Sequence, residues 1–526
     1  MVIGNPPYVR QELLSPIKPY LKQHYQSYNG VADLYVYFYE KGLNILKPAG
    51  KLSYIVTNKW LKAGYGEPLR RFFIENSTFE QIIDFGHAPI FEDADTFPCI
   101  ISVYKISLSP TETTELKTSI PSEFNVKLCP VPREKLVNIN LTQYVQNEGY
   151  DVAWSRFTAE SWSLERPDVE ELMKKIQRVG IPLRDFAGVK PYRGILTGLN
   201  EAFLIDEETK NKIVQADPKS AEIIKPYLRG QDIKRWSPEW QNVWIILLKS
   251  SNDHIWLWSN AKDDAENVFA QTFPSIHQYM KPLENKLRQR RDQGKYWWEL
   301  RSCSYYNKFE AEKLIYQVIQ TLPQYAFDDS GLYGNDKTFI LPKSDKYLLG
   351  WLNSPLIWWY SYRIFTGMLS NSISPMGYLF ESLPIAPPTD QIRDEVELIV
   401  TRLIEITKTN QTANDDVLTW LQIQYKVKKI SRKLENFADL NFEELIEEVI
   451  KQLPKSKSSD PLGVKGLKSI REAYNEYVPD IQTRKQEALN LEKRLSDLVN
   501  QAYQLTPEEI ELIWKTAPPR MPFYPR

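Results

Sequence analysis

The sequence predicts an α/β first region, a larger aromatic α+β region and a helical tail. Short strands alternate with helical segments up to residue 110, an order typical of an α/β sheet. Twelve of the fifteen tryptophans then lie between Trp154 and Trp359, and beyond residue 388 apolar residues recur at helical spacing. These observations predict domains at 1–110, 151–388 and 389–526, with a connector at 111–150.

The elements of the first region follow from their patterns. Apolar residues at helical spacing predict a helix over 33–46, which Lys47-Pro48-Ala49-Gly50 ends. A second helix is expected over 66–75. Runs rich in β-branched and aromatic residues predict strands, and these cover 51–56, 79–85 and 99–104. In the tail, helical spacing covers 395–407, 417–453 and 467–502.

The most informative stretch is VIGNPPY, residues 2–8, which we interpret as the end of a buried strand followed by a rigid loop. The Asn5 amide and the Pro6 carbonyl offer two acceptors, matching the two N–H donors of an exocyclic amino group such as that of adenine. Tyr8 adds a flat face on which a base could stack. The alternative is an ordinary turn, because Asn-Pro pairs commonly open turns.

The GNPPY loop resembles the catalytic loop of S-adenosylmethionine-dependent amino-group methyltransferases, especially the Taq-type DNA adenine-N6 enzymes. The resemblance implies that Asn5 and Pro6 hold the target amino group, that Tyr8 stacks on a base flipped out of the duplex, and that Pro7 lies against that base. The order of elements is similar to the second half of the methyltransferase fold. It implies the C-terminal half of a Rossmann-like sheet, followed by an α+β target-recognition domain and a helical tail.

Two aromatic residues extend this resemblance. The segment 89–96 is similar to the place where the family carries an aromatic that sandwiches the flipped base, which makes Phe91 a candidate. By alignment with the family's helix, Phe38 is a candidate for contact with the cofactor adenine. For both residues the alternative is ordinary core packing.

The cofactor-binding half of the family is expected to be absent from this chain. That half carries a strand, a Gly-x-Gly turn and a later acidic residue, and the family places it before the loop. Gly64 to Gly66 and Gly194 to Gly198 lack the required strand-to-helix context. The resemblance therefore implies that S-adenosylmethionine binds through a site completed by a separate chain or an upstream segment.

The second region resembles the Taq-type target-recognition domain, which reads the DNA sequence in that family. The similar segments are 190–203, 224–233, 313–316 and 347–354. Between residues 281 and 308, eight Lys and Arg face only three Asp and Glu around Tyr296-Trp297-Trp298. Such a cluster suits phosphate contacts, and the candidates are Arg288, Arg290, Arg291 and Lys295. The alternative is a solvated helix face.

Composition restricts the remaining function classes. The 66 Lys and Arg balance 67 Asp and Glu, so any nucleic-acid surface must be local. The three cysteines are far apart and the four histidines are scattered, which argues against a metal site or a disulfide framework and suits a reducing cytoplasm. Neither a signal peptide nor a long apolar run is visible, so we expect a cytoplasmic protein without a membrane partner.

Together these features predict a site-specific DNA adenine-N6 methyltransferase of a restriction-modification system, acting on double-stranded DNA and incomplete in its cofactor half. One alternative is a catalytically inactive DNA-specificity subunit or the product of a disrupted gene. Another is an N-methyltransferase that acts on RNA or on protein glutamine. The large aromatic second region argues against the glutamine enzymes, which resemble this chain only in the first region.

Overall fold

The computed structural model describes residues 1–522 except 87–89, 91–96, 107–123, 132–135, 137–138, 161, 369–371, 376, 428 and 455–461. The chain forms two compact units. The first comprises Met1–Lys174 with Gly367–Asn371, and the second comprises Lys175–Thr366 with Ser372–Arg526.

The first unit is built on one sheet with helices packed against it. Its strands are β1 (Val2–Gly4), β2 (Lys51–Thr57), β3 (Ser77–Asp84), β4 (Pro98–Lys105), β5 (Asn125–Pro130) and β6 (Tyr150–Ala153). Its helices are α1 (Lys18–His24), α2 (Tyr35–Asn44), α3 (Lys59–Lys62), α4 (Glu67–Asn76) and α5 (Leu141–Glu148). Helix α6 (Pro167–Val179) follows.

The strand order in this six-stranded sheet is β1-β2-β4-β3-β5-β6. Strand β1 pairs in parallel with β2, while β4 lies antiparallel between β2 and β3. Strand β5 is parallel to β3, and β6 is antiparallel to β5. Strands β1, β2, β3 and β5 therefore run in one direction, and their carboxyl ends meet at one edge of the sheet.

Alternating side chains explain why these segments form a buried sheet. Leu52 and Val56 of β2 and Ile101 and Val103 of β4 are fully buried in the core of the unit. The predicted helices and strands of the first 105 residues lie within two residues of the observed bounds, which confirms a mixed α/β region. The segment predicted as a connector differs, because 125–130 adds strand β5 to the same sheet.

In the second unit two four-stranded sheets carry the aromatic region, with orders β14-β10-β11-β9 and β13-β12-β15-β8. The strands of these two sheets are β8 (Tyr192–Arg193), β9 (Leu204–Ile205), β10 (Ile224–Leu228), β11 (Trp244–Ile246), β12 (Lys313–Gln317), β13 (Tyr325–Asp328), β14 (Tyr333–Gly334) and β15 (Thr338–Leu341). Outside the two sheets the chain has the short strands β7 (Ile181–Pro182), β16 (Thr366–Met368), β17 (Ser372–Ser374) and β18 (Pro384–Ile385).

Short helices surround these sheets. They are α7 (Leu183–Ala187), α8 (Asn200–Phe203), α9 (Glu207–Ala216), α10 (Ala265–Thr272), α11 (Pro274–Met280), α12 (Glu284–Arg288), α13 (Asn307–Glu310), α14 (Lys346–Leu352), α15 (Pro355–Ile364) and α16 (Tyr378–Glu381). Several of the tryptophans pack in this core: Trp258 and Trp298 are buried in it with Phe269, whose ring stacks on Trp298 at 4.9 Å.

The tail consists of α17 (Asp390–Tyr425), α18 (Phe442–Gln452), α19 (Gly463–Ala502) and α20 (Pro507–Lys515), which confirms a helical C-terminal region. Helix α17 runs without a break through residues 408–416 and so joins the predicted stretch 395–407 to the start of the predicted stretch 417–453. That second stretch is divided between α17 and α18, and α17 ends before Lys426, which has a positive φ of 57°. Helices α17 and α19 are joined by the ion pairs Arg402–Glu487 and Arg494–Glu395.

Helix α14 approaches the two long helices closely at Gly350. A Cβ added there would lie 2.9 Å from Val400 of α17 and 3.1 Å from Leu495 of α19. The absence of a side chain at this position allows the helices to come together. No helix in the described part of the chain combines the length and apolar character needed to cross a bilayer.

Candidate functional site

The predicted loop leaves the sheet directly after β1, at the edge where the parallel strands end. Pro6 is buried, whereas Asn5 and Tyr8 are exposed. Beyond the loop the chain is tied to the segment before α2: the Leu34 amide donates to the Val9 carbonyl at 3.0 Å, and the Gln11 amide donates to Asp33 Oδ1 at 2.8 Å. These bonds and the two fixed proline φ angles hold the loop in one arrangement.

The polar groups of the loop are available to a ligand. Within the described part of the chain, the Asn5 side chain has no hydrogen-bond partner, and the Pro6 carbonyl accepts no hydrogen bond. An amide oxygen and a backbone carbonyl one residue apart can receive both protons of an amino group. The arrangement therefore suits recognition of a planar amine.

The Tyr8 ring supplies the flat surface beside these acceptors. Tyr35 covers part of the Tyr8 ring, and the two ring centroids are 6.3 Å apart. Tyr8 stays 36% exposed. Burial, and to a smaller extent the neighbouring Cys99 thiol, raises the pKa of Tyr8 to about 12. The phenol is therefore neutral at physiological pH, and its face can stack on a base without a buried charge.

The same edge carries two polar residues that the sequence analysis missed. Asn58 follows β2 and Asp84 ends β3, and Asn58 Nδ2 donates to Asp84 Oδ1 at 2.8 Å across the start of β4. The Gly86 amide also donates to Asp84 Oδ1, at 3.1 Å. A signal was present, because both residues stand at the carboxyl ends of strands that are parallel to β1.

The two aromatic candidates have different outcomes. Phe38 is exposed on α2, whose remaining apolar residues are largely buried, so its ring is accessible. Phe91 lies outside the described residues.

The described residues do not complete a site for a nucleoside-bearing methyl donor. Such a site needs a strand, a glycine turn and a helix in succession. Gly64 and Gly66 form a 3-10 turn that follows helix α3 instead of a strand. In the first unit's described residues, no other Gly-x-Gly pair is present.

The four basic candidates of the second unit differ in their exposure to solvent and in their partners. Arg288 is exposed and forms a 2.7 Å ion pair with Glu284. Arg290 is only 7% exposed and sits over the Phe203 ring at 4.8 Å. Its guanidinium donates to the carbonyls of Leu287, Thr197, Trp297 and Glu299 at 2.7–3.1 Å. Arg290 therefore holds in place the segment that carries the other three basic candidates.

The absence of a side chain at Gly198 allows Arg290 to make these contacts. Its φ is +69°, and a Cβ there would lie 3.0 Å from the Asp292 carbonyl and 3.2 Å from Arg290 Cδ. Arg291 and Lys295 are both exposed on the segment held in this way. Lys295 Nζ donates to the Ser259 carbonyl at 2.7 Å, and neither residue forms an ion pair among the described residues.

Comparison with protein families gives three matches along the chain. Residues 1–91 match the model of the Eco57I restriction-modification methylase, and residues 225–385 match the TaqI-like C-terminal specificity domain. Residues 389–499 match a domain of unknown function, DUF8810. These matches confirm the predicted resemblance to a restriction-modification methyltransferase with a recognition domain, and the methylase match implies an S-adenosylmethionine-type methyl donor.

Individual relatives support the same class. The chain is 28% identical over 249 residues to the Type II methyltransferase M.PaeR7I of Pseudomonas aeruginosa, a stretch that covers 47% of this chain and 41% of the relative. It is 32% identical over 109 residues to the Type II restriction enzyme and methyltransferase RM.Eco57I of Escherichia coli, covering 20% of this chain and 11% of the relative. The matched stretch thus spans less than half of either relative.

A solved structure shares the fold over nearly the whole chain. The Type IIL restriction-modification enzyme MmeI, solved in complex with DNA, matches with a TM-score of 0.52 at 12% identity. The match covers 98% of this chain and 56% of that chain. The arrangement of elements is therefore one that such an enzyme also adopts.

Proposed function

We propose that this chain carries the base-binding loop and the recognition domain of a site-specific DNA methyltransferase that modifies adenine N6 in duplex DNA, as part of a restriction-modification system. The observation that carries the proposal is the Asn5-Pro6 pair of acceptors without partners, placed beside the exposed Tyr8 ring where the parallel strands end.

The chemistry of the target explains why two acceptors are needed. The lone pair of the adenine amino group is delocalised into the ring, which makes the nitrogen a poor nucleophile. Hydrogen bonds from its two N–H groups to Asn5 and Pro6 favour a pyramidal nitrogen whose lone pair is available for attack. The loop also fixes the direction of approach, which lowers the entropic part of the barrier.

Tyr8 and its neighbours receive the base. An adenine inside a duplex is out of reach, so the base has to leave the stack before it reacts. We assign the exposed face of Tyr8 to one side of the flipped base, with Pro7 beside it and Phe91 on the other side. Stacking on an aromatic ring contributes about 1–3 kcal/mol per base, which offsets part of the unstacking cost.

The methyl donor binds, in this proposal, where a further polypeptide meets the first unit. Within the described residues β1 is paired only with β2, and Ile3 on β1 is exposed. We take the order β1-β2-β4-β3 as the second half of a methyltransferase sheet, and in this proposal a segment carrying the other half pairs along β1. S-adenosylmethionine supplies an electrophilic methyl group there, and Phe38 contacts its adenine.

The second unit holds the DNA. We assign phosphate contacts to Arg291 and Lys295, which are exposed and lack ion-pair partners within the described part of the chain. Arg288 can join them by exchanging Glu284 for a phosphate oxygen. Arg290 acts by holding this segment in place.

Methyl transfer to competing substrates tests the proposal. The chain is mixed with a polypeptide supplying the other half of the sheet and with tritiated S-adenosylmethionine, and DNA, RNA and protein are offered in parallel. Label in duplex DNA is the expected result. Label only in RNA or in protein would identify a different N-methyltransferase, whereas sequence-specific DNA binding without transfer to any substrate would leave a specificity subunit.

A further inference from the structure

A loop of the second unit presents two large aliphatic side chains to solvent. In the segment 254–258, Ile255 and Leu257 are 90% and 73% exposed, while Trp258 is fully buried. Ile255 is the most exposed large apolar residue in the described part of the chain. Burying such side chains is favourable, so two of them close together in one loop offer an apolar contact to a binding partner.

The loop is rigid because its alternate residues are anchored inward. The Trp256 ring stacks on Trp258 at 4.8 Å, and its indole N–H donates to the Lys249 carbonyl at 2.8 Å. The Trp256 amide donates to Ser259 Oγ at 2.8 Å, and the Trp258 indole donates to the buried Glu299 carboxylate at 2.9 Å. The backbone that carries the two aliphatic side chains is therefore fixed before any partner binds, which reduces the entropy lost on binding.

Two cations flank this loop. Lys295 donates to the Ser259 carbonyl, and the Lys249 ammonium lies 5.5 Å from the centre of the Tyr306 ring. Neither lysine forms an ion pair among the described residues. The nearby Asp253 carboxylate accepts the Cys303 amide at 2.6 Å. The segments next to the loop thus carry two positive groups that can contact phosphates.

We propose that Ile255 and Leu257 form a wedge that inserts between neighbouring bases of the bound DNA, with Lys249 and Lys295 on the adjacent phosphates. Apolar side chains that unstack a base step between cationic contacts are an established way for proteins to deform a duplex. Two isolated side chains bordered by the exposed Asn252 and Asn260 offer far too little apolar area for a stable contact with a second copy. The inference rests on the proposed DNA-binding function.

The test compares two duplexes of the same sequence, one fully paired and one with a single mismatched pair that lowers the unstacking cost. Binding of the full chain is measured by fluorescence anisotropy over a range of salt concentrations. The wild-type chain is expected to bind the mismatched duplex more tightly. The Ile255→Asn/Leu257→Asn double variant should lose roughly tenfold in affinity for that duplex and keep its salt dependence, because its cations are intact.

A matched control is available on the tail. Leu398 and Ile423 of α17 are similarly exposed, and the Leu398→Asn/Ile423→Asn variant should bind both duplexes as the wild type does. Near-ultraviolet circular dichroism verifies that Trp256 and Trp258 stay packed in the wedge variant.

The outcomes separate the wedge from the function on which it rests. A wild-type chain that binds duplex DNA without preferring the mismatch, or a wedge variant with unchanged affinity, would overturn the wedge and leave DNA binding in place. A chain that binds no duplex DNA would overturn both. Loss of self-association in the wedge variant, with DNA binding unaltered, would assign the surface to a second copy.

Discussion

Arg290 allows a direct test, because the charge pattern of the sequence predicts a phosphate contact, whereas the structure shows a buried side chain that holds its segment in place. In Arg290→Ala, the carbonyls of Leu287, Thr197, Trp297 and Glu299 lose their donor. Hydrogen bonds to a charged group contribute about 1.5–3 kcal/mol each, but water entering the space replaces part of that. We expect the free energy of unfolding of the second unit to fall by about 3–5 kcal/mol, because four carbonyls around a buried side chain lose their donor and water restores only part of those hydrogen bonds.

Arg288→Ala is the matched control. Arg288 lies two residues away, and its side chain is 56% exposed in its pair with Glu284. Exposed pairs contribute about 0–1 kcal/mol, so this variant should unfold almost as the wild type does. Burial lowers the pKa of Arg290 to about 10, which leaves the wild-type guanidinium charged at neutral pH.

Urea unfolding followed by tryptophan fluorescence measures the loss, and hydrogen exchange locates it. The Gly294 and Glu299 amides, which are bonded within the segment, should exchange faster in Arg290→Ala than in Arg288→Ala. The reasoning would be refuted by an Arg290→Ala variant of wild-type stability whose DNA affinity falls together with its salt dependence, because that result belongs to an exposed phosphate contact.

Three other variants test the fold. Gly350→Val places atoms against α17 and α19 and should destabilise the second unit by about 1–3 kcal/mol in urea unfolding. Lys313→Met leaves the fully buried Asp328 carboxylate without its cation and should cost about 3–5 kcal/mol, part of which Lys313→Met/Asp328→Asn recovers. Burial alone would raise the pKa of Glu266, but hydrogen bonds from Lys281, His277 and Trp297 outweigh it and lower this pKa to about 2. The ionised Glu266 carboxylate therefore stabilises the folded state fully above about pH 4.5, and this stabilisation is lost as the pH falls towards 2. Glu266→Gln should flatten that part of the dependence of the free energy of unfolding on pH.

Each of these variants has its own check. Gly64→Ala meets no atom within 4 Å and should leave stability nearly unchanged. A Lys313→Met/Asp328→Asn chain less stable than Lys313→Met alone would contradict the account of the buried pair. Glu208→Gln, at an exposed pair with Lys212, should keep the wild-type acid profile, and a wild-type profile in Glu266→Gln would contradict the assignment.

The parts of the fold that could be predicted are those governed by local chemistry. The alternation of apolar residues places β2, β3 and β4 and the helices between them, because burial of one face needs only neighbours in sequence. Strand β5 was missed because the six residues 125–130 are flanked by polar, proline-bearing chain. The continuous α17 was missed because its solvated stretch at 408–416 carries no apolar pattern.

In the candidate site, too, the features that could be predicted are those set by residues close together in the sequence. The GNPPY loop is recognisable because its acceptors, ring and rigid backbone all lie within five residues. The Asn58–Asp84 bond joins residues 26 positions apart, and a sequence alone does not show that β4 brings the two strands together. Arg290 was grouped with its neighbours because charge is visible in the sequence, whereas the fold brings the carbonyls to it, including that of Thr197, which is 93 positions away.

The central claim is that Asn5 and Pro6 grip the amino group of an adenine. Duplex DNA is incubated with S-adenosylmethionine, a polypeptide that supplies the proposed other half of the sheet, and either the wild-type chain or Asn5→Ala. The nucleosides are then quantified by mass spectrometry. The account predicts N6-methyladenine with the wild-type chain and a loss of at least about 100-fold with Asn5→Ala, equivalent to roughly 3 kcal/mol of transition-state stabilisation. Undiminished N6-methyladenine with Asn5→Ala, or methylation confined to cytosine, would contradict it.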